Sequence, residues 1–349
     1  MPLITPGSAL SASRREYVRS ACRHAAGGSC HGVIIRRYRG RRIMRLRFPA
    51  AALLVLALPP AAQAQPAHVS PASPLAAPAP HQRLLPLEGG RNFRDLGGYR
   101  AQDGRHVKWG LLFRSGAMHG LTAADYAYLE KRGIRVVCDF RDSRERAAQP
   151  VNWPSGAAPR LLFDDYRLDM AGMMPKGPPS GWTEADARAA FTASYPRMLG
   201  QFNGQYRRMF AELLAGHAPL AFNCSAGKDR TGIAAALILT ALGVPRQTVI
   251  DDYMLTNDYL DAAKMLAHGP APANMGPGRP EKEAGGDPAA ALKGLPPGVV
   301  RAFLAADPAY IEAALAVLDR HSGGPEGYLR DELGLKRADI LRLRTLYLE

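Results

Sequence analysis

The sequence predicts an α/β fold in which a mostly parallel central sheet is flanked by helices. The first observation is a series of short apolar runs, partly β-branched or aromatic, as expected for buried strands. These runs are GLLFRS (110–115), IRVVCDF (134–140), RLLF (160–163) and PLAFN (219–223). The second observation is that helical patterns separate and follow these runs. Strands that alternate with helices favour parallel pairing with both faces of the sheet covered.

Three segments carry the clearest helical patterns. Thr122 is placed to cap a helix that runs to Lys131 and ends before Gly133. A second helix is predicted at about 197–215. The segment TGIAAALILTALG (231–243) is apolar on every side, which predicts a buried helix.

Two stretches interrupt this alternation. Residues 170–183 and 267–299 are rich in Gly, Pro and Ala, and we expect mobile loops or lids there. The last fifty residues return to helical patterns. We therefore predict a single domain over 84–349, with 267–299 as a flexible insertion.

The N-terminal region has the form of a secretory signal peptide over residues 44–64. Two arginines after Met44 precede an apolar run from Phe48 to Leu58, and Ala62-Gln63-Ala64 forms a small-residue cleavage signature. The run is shorter than the roughly 20 residues that span a bilayer, so we expect a periplasmic or secreted protein without stable membrane insertion. The alternative is a single uncleaved membrane anchor.

The segments on either side of this signal are predicted to lie outside the domain. Residues 65–83 are rich in Pro and Ala, as in an extended linker. A signal peptide acts at the N-terminus, so we expect translation to start at Met44 and residues 1–43 to be a non-native upstream extension. The competing interpretation of 1–43 is an extended basic targeting arm.

The net charge of +14 is concentrated in this leader. Eleven arginines and one glutamate lie at or before Arg47. The remainder of the chain is only mildly basic, so the charge does not indicate a nucleic-acid partner.

The chain contains four cysteines, of which Cys22 and Cys30 fall in the leader. Cys138 and Cys224 remain, too few for a disulfide framework. Cys138 lies in an apolar strand and is expected in the core, with a regulatory disulfide to Cys224 as the alternative. Cys224 follows another strand, in a segment that indicates chemistry.

That segment, FNCSAGKDRTG (222–232), is predicted to be a strand end, a tight loop and the start of the buried helix. Successive N–H groups at a helix N-terminus form an anion site, and this position also favours a thiolate at Cys224. Arg230 offers a planar fork that matches two phosphoryl oxygens. An inert buried cysteine is the alternative, but it leaves the loop arginine and the neighbouring glycines unexplained.

CSAGKDRTG resembles the Cys-x5-Arg-Thr-Gly signature loop of the protein tyrosine phosphatase superfamily, and its AGKD resembles the bacterial secreted branch of that superfamily. The segments 91–122, 134–145, 251–260 and 323–335 are similar to other parts of that branch, so the resemblance covers most of 88–349. It implies a tyrosine-phosphatase-like fold and a metal-independent, cofactor-free phosphoric monoester hydrolase that forms a phosphocysteine.

The resemblance also implies roles for the loop residues. Cys224 is the expected nucleophile and Asp229 the expected general acid. The alternative is that Asp229 only pairs with Arg230 or Lys228. Asp164 and Asp165 are the reserve candidates for the acid. Arg230 and the backbone N–H groups of the loop are expected to hold the phosphoryl oxygens. The expected substrate-binding residues are Ser225, Ala226, Gly227, Lys228 and Thr231.

Individual side chains of the loop carry further expectations. Lys228 is expected to add positive charge at the pocket rim. Thr231 is expected to donate its hydroxyl to the thiolate, to cap the helix, or to do both. Asn223 departs from the family pattern, which has His before the nucleophile. Since Asn cannot carry charge, we expect slower chemistry and not a dead site.

Polar residues of the N-terminal signature are candidates for a supporting role. Asn92, Arg94 and Asp95 are expected either to buttress the phosphate loop or only to form the turn before Gly97-Gly98. No pair of histidines stands at ligand spacing with a carboxylate in the chain after the leader, so no metal site is expected.

The predicted substrate is a phosphorylated protein carrying phosphotyrosine, with phosphoserine, phosphothreonine and phosphoinositide lipids left open. A binding module that retains the phosphate loop but has lost activity is the rival from another functional class, motivated by Asn223. A sulfurtransferase or arsenate reductase is a weaker rival, since neither chemistry requires the Asp-Arg pair. The sequence leaves the oligomeric state open.

Overall fold

The central sheet of the computed structural model has five strands. They are β1 (Arg94–Asp95), β2 (Leu112–Ser115), β3 (Val136–Asp139), β4 (Arg160–Leu162) and β5 (Leu220–Asn223). Their order is β1-β2-β5-β3-β4, with β1 antiparallel to β2 and the other pairs parallel. The predicted α/β architecture with a mostly parallel sheet is confirmed.

Helices cover this sheet. They are α1 (Ala123–Lys131), α2 (Ser143–Ala148), α3 (Glu184–Gln201), α4 (Asn203–Leu214), α5 (Asp229–Ala241), α6 (Arg246–Met254), α7 (Thr256–Tyr259), α8 (Pro297–Leu304), α9 (Pro308–Arg320), α10 (Gly324–Asp331) and α11 (Arg337–Tyr347). Thr122 caps α1 through a capping box with Asp125, as its sequence position predicts. Helix α5 is buried along nearly its whole length, also as predicted.

The structure describes residues 81–154, 156, 158–169, 171–260, 292 and 294–349. The predictions for the leader, for the linker up to residue 80 and for most of the 267–299 insertion lie outside these residues. The described part of the chain forms a single domain. None of its helices has the length and apolar character to cross a membrane.

The helix predicted at 197–215 is two helices, α3 and α4, which meet at Phe202. Helix α3 begins thirteen residues earlier than predicted, because Thr183 caps it through a capping box with Asp186. Pro196 lies inside α3. A proline normally argues against a helix interior, so a helix that continues through Pro196 is not the default expectation.

The strand predicted as buried at 160–163 lies at the edge of the sheet. Leu161 and Phe163 are 42% and 48% exposed. Strand β4 pairs with β3 on one side and is the last strand of the sheet. The burial prediction for this run was wrong, since an apolar run does not distinguish a central strand from an edge strand.

Three parallel strands end together at one edge of the sheet. In the strand register, the β5 residue Asn223 pairs with Ser115 of β2 on one side and with Asp139 of β3 on the other. In parallel sheets the loops at the carboxyl ends of the strands carry ligand sites. The next residue, Cys224, leads into such a loop.

Candidate active site

The loop from Cys224 to Lys228 connects β5 to α5, as the sequence predicted. Cys224 is a free thiol that is 1% exposed. Lys228 occupies the N-cap position of α5, and Asp229 and Arg230 are its first two residues. The thiol therefore lies at the N-terminal end of a buried helix, where the helix dipole favours a negative charge.

The carbonyl groups of the loop are held from outside the loop. The amide of Ala117 donates to Ser225 O at 3.0 Å. The Asn92 side chain donates to the carbonyls of both Ala226 and Gly227 at 3.2 Å. These bonds set the orientation of three consecutive peptide groups.

A fourth bond completes this arrangement, since Arg114 Nη2 donates to Gly227 O at 2.7 Å. By contrast, no hydrogen bond from the backbone N–H groups of Ser225 to Arg230 to a carbonyl or side chain is found within the described part of the chain. These donors are free to bind an anion, as at other helix N-termini.

Two glycines allow this close packing. Gly227 has φ +72°, and a Cβ there would lie 2.5 Å from Gly116 N and from Ser115 C. A Cβ on Gly232 would lie 2.8 Å from the ring of Tyr253. Any side chain at Gly227 would be strained and would also push the loop away from β2.

Arg230 is held by Glu145, the third residue of α2. Arg230 Nη1 donates to Glu145 Oε2 at 2.6 Å and Nη2 donates to Oε1 at 2.7 Å. Nη1 also donates to Phe140 O at 2.9 Å and to the Tyr166 hydroxyl at 2.8 Å. This end-on pairing leaves the Nε edge of the guanidinium for a second oxyanion, because Nε has no acceptor among the described residues.

Glu145 is ionised in this environment. Burial alone would raise the pKa of its carboxyl from 4.5, but the Arg230 charge and hydrogen bonds from Arg230, Ser225 and Asp142 lower that pKa to about 2. The Ser225 hydroxyl donates to Oε1. Glu145 therefore links Arg230 to Ser225 of the loop.

Asp229 has two donors on one carboxylate oxygen. Lys228 Nζ donates to Oδ1 at 2.6 Å, and the Tyr195 hydroxyl also donates to Oδ1. The Asp229 side chain is 20% exposed. Oδ2 makes no hydrogen bond to the described residues, so it is the oxygen available to a substrate.

Lys228 does not lie at the pocket rim, so that expectation was wrong. Its side chain is 1% exposed, and Nζ lies 4.6 Å from the Phe191 ring centroid and 5.3 Å from that of Tyr310. Two aromatic faces and the Asp229 carboxylate compensate for the burial of this ammonium. The Lys228 side chain therefore binds Asp229, and only the backbone N–H of Lys228 remains a candidate for binding substrate.

Thr231 is the third residue of α5, so the N-cap interpretation was also wrong. Its hydroxyl is buried without a hydrogen-bond partner among the described residues. A buried hydroxyl without a partner is rare and calls for an explanation, of which a catalytic role is one. The expectation that it donates to the thiolate stays a prediction.

Asn223 is tied to β3 and not to the loop. Its side-chain amide donates to Asp139 Oδ1 at 3.0 Å, and its backbone carbonyl accepts from the Phe140 amide at 2.7 Å. Arg141 in turn donates to both carboxylate oxygens of Asp139. Asn223 thus fixes the strand end from which Cys224 emerges.

The three candidates of the N-terminal signature differ in what they contact. Asn92 has φ +53° and holds the loop carbonyls, so it both forms the turn and buttresses the loop. Arg94 donates to Asn92 Oδ1 and to the side chain and carbonyl of Asp252. Asp95 accepts from the amides of Gly97 and Gly110, so it stabilises the turn and makes no bond to the loop.

Sequence reasoning missed Arg114 and Asp252. Arg114 Nη1 donates to Asp252 Oδ2 at 2.6 Å, and both side chains are at most 1% exposed. Burial alone would raise the pKa of the Asp252 carboxyl, but Arg94 and Arg114 lower it from 3.8 to about 2. Both residues lie in segments that the resemblance covers, but nothing in the spacing of the two segments pairs them.

The reserve acids do not contact the loop. Asp164 pairs with Arg208 at 2.6 Å, and Asp165, which is 83% exposed, pairs with Arg146 at 2.6 Å. Cys138 is buried in β3, and burial raises the pKa of its thiol to about 12. Cys138 and Cys224 are both free thiols.

Comparison with known proteins indicates the family of this chain. The profile of the tyrosine phosphatase family matches residues 85–349. A protein of Cupriavidus necator named as a tyrosine-protein phosphatase is 31% identical over 80% of this chain and 94% of its own length. The triple specificity protein phosphatase PtpB of Mycobacterium tuberculosis is 31% identical over 75% of this chain and 98% of its own length.

A tyrosine-protein phosphatase of Nostoc commune is 28% identical over 66% of this chain and 72% of its own length. The profile match includes β1 to β5 and the whole Cys224–Arg230 loop. The chain belongs to the tyrosine phosphatase family and is a hydrolase of that type.

Proposed function

We propose that this protein hydrolyses phosphotyrosine monoesters in proteins through a phosphocysteine formed on Cys224. One observation carries the proposal. The carbonyls of Ser225, Ala226 and Gly227 accept bonds from outside the loop, whereas the N–H groups of the loop that follows Cys224, and Nε of Arg230, have no acceptor among the described residues. Fixed donors that require no reorganisation stabilise the charge of a phosphoryl group in its transition state.

The first step is an in-line attack. The Cys224 thiolate forms a bond to phosphorus while the bond from phosphorus to the phenolic oxygen breaks, and its electron pair stays on that oxygen. Asp229 transfers its proton from Oδ2 to the leaving oxygen and becomes a carboxylate. The loop amides and Arg230 bind the three equatorial oxygens.

The second step regenerates the enzyme. Asp229, now a carboxylate, accepts a proton from a water molecule as that water attacks phosphorus, and the bond from phosphorus to sulfur breaks. Inorganic phosphate leaves and the thiolate is restored. Thr231 supports this step if its hydroxyl donates to the sulfur as the phosphoryl group departs.

The substrate range extends beyond phosphotyrosine in this proposal. Support comes from the relative in Mycobacterium tuberculosis, whose name describes a triple specificity phosphatase. Phosphoserine, phosphothreonine and phosphoinositides are therefore the next substrates to compare, at equal concentration with a phosphotyrosine peptide.

The decisive experiment is phosphate release from a phosphotyrosine peptide with EDTA present. We expect turnover by the parent protein, none by Cys224→Ser, and retained turnover by Cys138→Ala, which removes the other free thiol. No turnover by the parent, with the peptide still bound, would instead support a binding module. Turnover that EDTA abolishes would contradict the cysteine mechanism.

The proposal also places the mature protein outside the cytoplasm. The signal over Met44 to Ala64 predicts a mature N-terminus at Gln65. N-terminal sequencing of protein from the periplasm or the medium tests this. A chain found only in the cytoplasm, with residues 44–64 retained, would contradict it.

A further inference from the structure

Asp229 holds its two carboxylate oxygens in different environments. Oδ1 accepts from Lys228 Nζ at 2.6 Å and from the Tyr195 hydroxyl, whereas Oδ2 has no donor among the described residues. Two donors on Oδ1 oppose a proton on that oxygen. The proton of the neutral acid therefore belongs on Oδ2.

The direction of the hydrogen bonds around Tyr195 follows from its single proton. The Tyr195 and Tyr253 hydroxyl oxygens lie 2.6 Å apart. Since the Tyr195 proton is donated to Asp229, Tyr253 must donate to Tyr195. The donors form a chain from Tyr253 of α6 through Tyr195 of α3 to the first residue of α5.

Tyr195 is rigidly placed for this contact. It is fully buried, and its ring packs at 5.7 Å from the Phe191 centroid and at 5.6 Å from that of Tyr310. Burial and then the Asp229 charge raise the pKa of Tyr195 well above its ordinary value. The hydroxyl therefore remains a donor throughout the working range of an enzyme.

We propose that Tyr195 is the positioning residue of the general acid, fixing Asp229 Oδ1 so that Oδ2 presents its proton to the leaving oxygen. This inference rests on the proposed function. When Oδ2–H breaks and the leaving oxygen gains the proton, Asp229 becomes a carboxylate. The bond from Tyr195 then becomes charge-assisted and the bond from the Lys228 ammonium becomes an ion pair, so both strengthen as the proton leaves.

The inference is tested with the Tyr195→Phe variant and a series of aryl phosphates from 2,4-dinitrophenyl phosphate to phenyl phosphate. The value of kcat/KM reports the step in which the leaving group departs. We expect a loss of about tenfold on phenyl phosphate, whose oxygen needs the proton, and less than about twofold on 2,4-dinitrophenyl phosphate, whose oxygen does not. A purely structural role would lower every rate alike.

Three further variants sharpen the test. Tyr253→Phe removes the donor behind Tyr195, so we expect the same trend with a smaller amplitude. Tyr347→Phe removes a buried hydroxyl that donates to Leu213 O at 2.7 Å, and it should leave the leaving-group dependence unchanged. In an Asp229→Asn background, Tyr195→Phe should add no further loss on phenyl phosphate.

The outcomes separate this inference from the proposed function. A parent protein without phosphatase activity overturns both. An active parent, with a loss in Tyr195→Phe that is uniform across the series or additive to Asp229→Asn, overturns the positioning role alone. If Tyr195→Phe does not fold, Tyr253→Phe decides, and an unchanged leaving-group dependence in that variant refutes the inference.

Discussion

The substitution Glu145→Gln tests whether Glu145 holds Arg230 in place. It keeps the shape of the side chain but replaces one acceptor oxygen with an NH2 group. Four donors converge on the Glu145 carboxylate, from Arg230 Nη1 and Nη2, the Ser225 hydroxyl and the Asp142 amide. A glutamine would turn an N–H group towards at least one of these donors and would leave the buried Arg230 charge without its partner.

The magnitude follows from the ionisation of Glu145. Its pKa is lowered from 4.5 to about 2 by the folded environment. Since one pKa unit corresponds to about 1.4 kcal/mol, the site prefers the anion to a neutral group by about 3 kcal/mol. We expect the free energy of unfolding of Glu145→Gln to fall by about that amount, because removing one partner leaves a buried charge uncompensated. We also expect kcat/KM for a phosphotyrosine peptide to fall by about tenfold or more as Arg230 is released.

Urea unfolding and steady-state kinetics measure the two effects. Glu184→Gln is the matched control, since it breaks an arginine pair with Arg301 in which both side chains are about half exposed or more. Exposed pairs contribute little, so both measurements should stay at the parent values. The reasoning is refuted if Glu145→Gln unfolds at the parent urea concentration and keeps kcat/KM within about twofold.

Three more predictions concern the loop and the buried charges. Gly227→Ala should lower kcat/KM and weaken inhibition by inorganic phosphate, each by about tenfold or more. Gly216→Ala is the control, since Gly216 also has φ +73° but no atom lies within 4 Å of the position of an added Cβ, and it should leave both quantities unchanged. Asn92→Ala should release the Ala226 carbonyl and leave the Gly227 carbonyl to Arg114 alone, so we expect Ki for inorganic phosphate to rise about tenfold. An unaltered Ki would count against the supporting role of Asn92. The free energy of unfolding should be greatest above pH 4.5 and decline as the pH falls towards 2. The folded protein lowers the pKa values of Glu145 and Asp252 to about 2. The unfolded chain therefore binds more protons than the folded protein over that range, which favours unfolding. Acid titration of circular dichroism checks the last prediction, and a flat profile between pH 5 and 2 would contradict it.

The sequence could predict the loop because its parts are contiguous. Cys224, Asp229 and Arg230 lie within seven residues, between an apolar strand and an apolar helix, and a turn of backbone is enough to bring them together. Each apolar run that indicates a strand is also contiguous, so the sequence predicted four of the five strands, β2 to β5. Strand β1 was missed because two residues, both buried and charged, carry no strand pattern.

The supporting residues could not be predicted, because folding brings them together from distant positions. Glu145 is 85 residues from Arg230 along the chain, and Asp252 is 138 residues from Arg114. One signal was present for Glu145, since Asp142 and Glu145 have the spacing of a capping box. That motif explains why Glu145 lies on the first turn of α2, but not that its second oxygen reaches Ser225.

The error at Lys228 has a physical cause. Lysine is among the residues least often fully buried, so a rim position is the default expectation for a loop lysine. Here Phe191 of α3 and Tyr310 of α9 close over the side chain. The neighbouring Asp229 carboxylate and the packing of two helices that lie far apart in sequence together make burial of this ammonium favourable.

The balance of charges around the loop indicates why it binds an anion. Four cations, Lys228, Arg94, Arg114 and Arg230, are bonded to three carboxylates, Asp229, Asp252 and Glu145. The cations exceed the carboxylates by one charge, which a Cys224 thiolate would balance. The proposed protonation of Asp229 then leaves one positive charge in excess within this buried cluster. A buried excess of positive charge is unfavourable unless an anion approaches it. The bonds from Asn92 and Arg114 occupy loop carbonyls and leave that anion the N–H side of the loop, where the proposed mechanism brings the Cys224 thiolate and the phosphoryl group together.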